Sequence, residues 1–299
     1  MSESPYSIIF MPGIRPKPLP QEHEGQLRRC LHNGIERVGG SEAEAQEVAE
    51  AFSLVGWSHS FYKEHGDLSA DLPGIERLLA GRDDEEQTLR EARSPARQIT
   101  AFFYALADRF PVLGRHFSTR AMQSRMGDIG RYFANADGES VRVRQLLVER
   151  LEEAWGQNKK VVLVGHSFGS VIGYDVLWEL SRDGCEHSVD LFLSLGSPLT
   201  MGYIRNRLQG AHLHGAERYP SLIKHWVNYA AVGEVTALDR KLAKLFSPMI
   251  KLGLVDSISD DLGLINCFHG PHGLNVHKCY GYFASRLVGS LLLDWHRNH

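Results

Sequence analysis

Long apolar runs are missing from these 299 residues, and runs such as 161–164 and 291–293 are far too short to cross a bilayer. Cysteine is scarce as well. Cys30, Cys185, Cys267 and Cys279 are scattered without C-x-x-C spacing, which favours buried or free thiols over a disulfide framework and leaves a Cys267–Cys279 bridge open. No sign of charge dominates: 33 Lys and Arg stand against 36 Asp and Glu, a net charge of −3. A global basic field for nucleic acid or an anionic membrane is therefore not expected. The N-terminal stretch lacks a basic segment followed by an apolar one. Glu3 and the prolines at positions 5, 12, 16, 18 and 20 interrupt it, so a signal peptide is not expected and a cytoplasmic protein is. Repeats, low-complexity tracts and an interdomain linker are absent too.

What is present is the composition of a globular protein, 43% apolar and 23% charged. The central stretch is Val161-Val162-Leu163-Val164-Gly165-His166-Ser167-Phe168-Gly169, running on to Asp175. Its first four residues form a short apolar run without polar alternation, as in a strand buried on both faces of a parallel sheet. Gly165-x-Ser167-x-Gly169 then fits a nucleophile elbow, a strained strand-to-helix turn on which glycines let strand and helix pass closely.

Around this stretch the pattern alternates strands with helices. Residues 6–11 read as a first strand broken at Pro12-Gly13. Residues 22–38 have helical spacing at Leu27, Leu31, Ile35 and Val38, Ser41 is an N-cap, and residues 51–57 form a second strand. From about 61 to 126 the strand signal vanishes. That region holds the polar connection around 81–86 and a helical pattern at 99–110 with Phe102, Phe103 and Tyr104. Those aromatics belong either to plain core packing or to a helical cap lining an apolar pocket. A helix at 140–155 leads into the central strand; strands follow at 189–195 and 223–231, a weaker one at 264–268, and a closing helix at 279–295. The expectation is one α/β domain over 1–299, with a mostly parallel central sheet flanked by helices and a helical insertion at about 61–126.

A serine hydroxyl needs a base within hydrogen-bond reach, and the base needs a carboxylate to hold its ring. With the order serine, acid, histidine, both partners lie after Ser167. His277, just before the closing helix, is the favoured base, with His272 the runner-up. His166, inside the elbow, is expected to point away into the fold. His269, His272 and His277 match no standard zinc spacing, so no metal is expected. For the acid, Glu234 is favoured over Asp239, with Asp256, Asp260 and Asp261 behind. An oxyanion hole would use the amide of Phe168 and, because Pro12 has no N–H, that of Ile14. Arg15 and Lys17 in the same loop either reach an acidic headgroup or are simply solvated.

These residues resemble the α/β-hydrolase superfamily on its lipase and esterase side. The likeness rests on Gly165-His166-Ser167-Phe168-Gly169 and the helix after it, on Ser194-Leu195-Gly196-Ser197-Pro198, and on Trp226-Val227-Asn228 followed by Gly233-Glu234-Val235. It implies an α/β-hydrolase-type sheet, no cofactor, and an ester or acyl-lipid substrate cleaved through a Ser167 acyl-enzyme. Two features depart from the pattern: Pro12-Gly13 stands where His-Gly is frequent, and Glu234-Val235 where Asp-Pro-Val is. Thioesterase or amidase chemistry, or a non-catalytic binding role on the same scaffold, stay open at this point.

Overall fold

The computed structural model describes residues 4–81, 84–95, 120–234 (backbone alone for 120–125) and 241–299. In chain order the elements used below are β1 (Tyr6–Met11), α1 (Pro20–Glu36), α2 (Glu42–Glu50), β2 (Phe52–Leu54), α3 (Ser58–Tyr62), α4 (Leu72–Leu79) and α5 (Glu85–Ala92). They continue with α6 (Arg120–Ala134), α7 (Glu139–Gly156), β3 (Lys160–His166), α8 (Phe168–Arg182), β4 (Val189–Leu195), β5 (Ile223–Ala231), β6 (Ser257–Leu264), α9 (Cys279–Phe283) and α10 (Arg286–Arg297).

Among the described residues β1 to β6 form one parallel sheet in the order β2-β1-β3-β4-β5-β6. Alternate residues of its central strands feed two separate cores. Ile8, Phe10, Val162, Val164, Leu191 and Leu193 pack under α1, α2, α9 and α10, through residues such as Leu27, Leu31, Val48 and Leu292. Ile9, Met11, Val161, Leu163, Phe192 and Trp226 pack under α7 and α8, through Leu147, Leu151, Val171 and Leu177. With both faces covered, the central strands are largely apolar, and each fully buried Leu, Ile, Val or Phe contributes roughly 1.5–3 kcal/mol.

The chain leaves β1 for β2 on one side and returns to β3 on the other. The direction of winding therefore reverses between β1 and β3, and the loops at their carboxyl ends border a crevice, the usual place for ligands in open parallel sheets. The elbow follows β3, and the loop 12–17 follows β1.

Several elements differ from expectation. The second strand is only Phe52–Leu54; Val55 still donates to the Phe10 carbonyl, but Trp57 already stands at the N-cap of α3. As an edge strand it is shielded by α1, where Glu24 accepts from the Leu54 amide at 3.0 Å and Arg28 donates to the Phe52 carbonyl at 2.6 Å. The last strand of the central sheet is 257–264, not 264–268. It is an edge strand with Ser257, Ser259 and Asp260 partly solvated, so it carries no apolar run to read. The closing helix is broken: α9 ends at Phe283, and Ser285 caps α10 by accepting from the Val288 amide. Ser41 does cap α2, in a capping box with Glu44. The helical pattern at 99–110, with Phe102, Phe103 and Tyr104, lies outside the described residues. None of the four cysteines forms a disulfide, so the Cys267–Cys279 pairing is not made. Among the described residues no helix is long and apolar enough to cross a membrane.

Candidate active site

Ser167 stands at the junction of β3 and α8 with φ 53° and ψ −126°, a region that a residue with a side chain occupies only under constraint. The constraint comes from its surroundings. Its amide donates to the Leu195 carbonyl at 2.8 Å, and its carbonyl accepts from the Ser170 hydroxyl at 2.6 Å. Gly165 and Gly169 are needed for the close approach. A Cβ on Gly165 would sit 2.6 Å from the Ser170 Cα, and one on Gly169 would overlap the Met11 carbonyl oxygen at the end of β1. As the N-cap residue, Ser167 precedes helical amides that have no intrahelical acceptor, of which Phe168 contributes the first.

His277 lies in the segment before α9. Its Nε2 is 2.9 Å from Ser167 Oγ and its Nδ1 is 2.7 Å from Glu234 Oε2. A carboxylate can only accept, so Nδ1 carries the proton and Nε2 is left to accept from the serine hydroxyl. Glu234 is placed by a tight turn after β5, in which its amide donates to the Ala231 carbonyl at 2.9 Å and Gly233 takes φ 80°. Its side chain is almost wholly buried, whereas that of His277 is about a third exposed. Room for the pair is left by Gly196 after β4, where a Cβ would stand 3.1 Å from Glu234 Oε2 and 3.3 Å from His277 Nδ1.

Three further side chains hold this arrangement; the sequence reading missed Tyr282 and Asn266 and had His166 pointing away. The Tyr282 hydroxyl, kept protonated by burial beside Glu234, donates to Glu234 Oε2 at 3.1 Å while accepting from the Ala231 amide at 3.0 Å. Asn266 is buried and donates to the carbonyls on either side of His277, those of Val276 and Lys278, both at 2.9 Å. His166 does not turn away from the site: its Nε2 meets the His277 carbonyl at 2.8 Å. Burial, reinforced by His277, Lys17 and Lys278, holds its pKa well below the ordinary value, so the ring is neutral and Nε2–H is the donor. Tyr282 lies in a helix and Asn266 in a loop with no motif, so neither carried a signal. His166 was visible, but its direction was not.

The loop 12–17 closes on the serine. A Cβ on Gly13 would come 2.9 Å from Ser167 Cβ and 3.4 Å from its Oγ. Ile14, next along, packs partly buried against the α8-side core. Lys17 is not simply solvated, since its ammonium donates to the Ile14 carbonyl at 3.0 Å.

The other candidates sit apart. His269 and His272 belong to a small hairpin (His269–Gly270 with Gly273–Leu274), where His269 Nδ1 lies 3.0 Å from the Cys267 carbonyl and His272 is exposed at the turn. Asp260 accepts from the Leu242 and Ala243 amides and from Asn228. Asp261 accepts from the Gly263 amide, and Asp256 is exposed at the start of β6. Asp239 lies outside the described residues. His32, Glu36 and Glu42 form the one group of potential metal ligands among the described residues, on the outer surface of α1 and α2.

No protein-family model matches this chain, and no curated protein or solved structure matches it either. What the site can do chemically thus rests on its own geometry.

Proposed function

We propose that this protein is a serine hydrolase of carboxylic esters, a lipase- or esterase-like member of the α/β-hydrolase superfamily with a Ser167–His277–Glu234 catalytic triad. The observation that carries this reading is the hydrogen-bonded chain from a strained elbow serine through one histidine to a buried carboxylate. A structural serine has no need of a costly backbone conformation or of an imidazole with a free lone pair aimed at its hydroxyl.

In the reaction Ser167 Oγ attacks the ester carbonyl as its proton passes to His277 Nε2. The imidazolium that forms is stabilised by Glu234, itself oriented by Tyr282. The carbonyl oxygen becomes an oxyanion, held by the backbone amides of Phe168 and Ile14, each donor supplying about 3 kcal/mol of transition-state stabilisation. Collapse expels the alkoxide, which takes the proton from His277 and leaves an acyl-enzyme. Water then attacks the acyl group, giving its proton to His277, and the second collapse returns that proton to Ser167 as the carboxylic acid leaves. The partly buried Ile14 and Phe133, packed beside the elbow, are apolar and favour an acyl group over a charged substrate. None of these steps calls on a metal or organic cofactor.

A fluorophosphonate probe tests the reading directly. The intact protein should be labelled and should hydrolyse p-nitrophenyl esters, and Ser167→Ala should remove both. A folded wild-type protein that takes no label refutes the proposal, and labelling that survives Ser167→Ala removes the serine assignment.

A further inference from the structure

The loop 12–17 has no regular secondary structure, yet nearly every backbone group in it that bears on Ile14 is held. The Pro12 carbonyl accepts from the indole Nε1 of Trp57 at 2.9 Å, in a buried contact. The Arg15 amide donates to the Tyr62 hydroxyl at 2.8 Å, and the Ile14 carbonyl of the same peptide accepts from the Lys17 ammonium at 3.0 Å. Further along, the Lys17 amide donates to Ser58 Oγ at 3.2 Å and its carbonyl accepts from the Gly66 amide at 2.7 Å. Apart from the Lys17 ammonium, every partner comes from residues 57–66, in and just after α3.

Consider the peptide between Gly13 and Ile14, whose N–H is the one at issue. Both of its neighbours are pinned, one through the Pro12 carbonyl and the other at each end. The remaining freedom is rotation of that single peptide about its Cα–Cα axis. A flip would drive Ile14 to positive φ, which a β-branched residue resists; its φ is negative here. Arg15, by contrast, is already at φ 88° and is strained. Release of its amide or of the Ile14 carbonyl lets the 14–15 peptide rotate to relieve that strain, and the 13–14 peptide then loses the fixed neighbour on that side.

From this bracketing we infer that Tyr62 and Lys17 are positioning residues that preset the Ile14 amide as an oxyanion donor, with Trp57 fixing the other end of the loop. The inference rests on the ester-hydrolase reading and adds to it a dependence of transition-state binding on α3. That helix is braced in turn from α6: Arg131 donates to the Phe61 carbonyl at 2.6 Å and lies 4.0 Å over the Phe61 ring. A donor preset in this way binds the tetrahedral oxyanion and not the planar ester, so its loss falls on kcat and spares KM.

The test uses the full chain with Tyr62→Phe, Lys17→Met and, as a control on the same helix, Ser60→Ala, whose hydroxyl points to Glu139. Two quantities are read: kcat and KM for a p-nitrophenyl ester, and the affinity of a trifluoromethyl ketone, which adds to the serine to give an oxyanion. Tyr62→Phe and Lys17→Met should each lower kcat about 10-fold with KM within about twofold, and should weaken the ketone by the same factor. Ser60→Ala should match the wild type. Unchanged kcat and ketone affinity in either folded variant, or a rise in KM alone, overturns the inference while wild-type turnover keeps the hydrolase reading intact. A wild type without turnover or labelling removes both. Should one variant fail to fold, the other decides.

Discussion

The segment that carries His277 and the loop that carries Ile14 both border Ser167, and neither has helix or strand to hold it. They are fixed in different ways. The His277 segment is gripped by side chains that are neutral over the ordinary pH range: Asn266 on the two flanking carbonyls, His166 on the carbonyl of His277 itself, and Asn275 on its amide at 3.2 Å. The loop 12–17 is gripped by an indole, a phenol and an ammonium group. The first set holds the proposed base and the second the proposed oxyanion donor. Loss of the first should therefore harm proton transfer and folding together, and loss of the second should harm transition-state binding alone.

The largest expected effect tests the proposed base. Glu234→Gln puts an amide where the carboxylate holds Nδ1–H, which favours the wrong imidazole tautomer. It should lower kcat by about 10³-fold, measured with a p-nitrophenyl ester, with little change in the thermal midpoint. A near-normal rate in this variant, with Asp239→Asn inactive instead, would move the acid to Asp239.

Next comes the grip on the His277 segment. Asn266→Ala leaves the Val276 and Lys278 carbonyls and the Phe268 amide, which donates to Asn266 Oδ1 at 3.1 Å, without that partner in a buried place. It should cost about 2–4 kcal/mol in denaturant unfolding and reduce turnover as well. Full turnover in a destabilised variant would show that the segment keeps its shape without Asn266, and the contrast between the two loops would fail.

The smallest effect is a pH dependence confined to the other loop. Burial pushes the Lys17 pKa down to about 8; Lys278 and Arg15 act in the same direction, and Cys279 and Asp71 against it. As pH rises through about 8 the ammonium is lost and its bond to the Ile14 carbonyl weakens, so kcat should develop an alkaline limb there. Stability moves the other way. Between about 8 and the ordinary value of 10.5 the unfolded chain binds more protons than the folded one, so folding grows more favourable as pH rises. Lys17→Met should remove both trends. Titration of His166 makes no counterpart for the His277 segment, because its pKa is held well below the ordinary value.

Much of the frame was legible in the chain. The strands 189–195 and 223–231 appear at their expected bounds because apolar residues predominate in each: Val189, Leu191–Leu193 and Leu195 in one, and Ile223, Trp226, Val227 and Tyr229–Ala231 in the other. Ser41 was legible as a cap because a capping box is a contact across three residues. The sixth strand was misplaced for the opposite reason: an edge strand keeps polar residues and has no run to find. The break before Ser285 was hidden because apolar spacing continues through it.

At the site the division follows the distance over which the interactions act. The strand, the glycine-flanked serine and the helix after it are local, spanning a dozen residues, so residue type and spacing alone determined the elbow at Ser167. The order of elements along the chain further narrowed the search for its partners to a few histidines and carboxylates. The choice among them was left to the tertiary structure. His277 reaches Ser167 across 110 positions and Glu234 across 43, because the carboxyl ends of β3, β4 and β5 meet at one edge of the sheet. His166, Asn266, Tyr282, Tyr62 and Lys17 act through single hydrogen bonds to backbone that is itself irregular. Such bonds have no period and no spacing, and they come into being only when the chain has folded far enough to bring their two ends together.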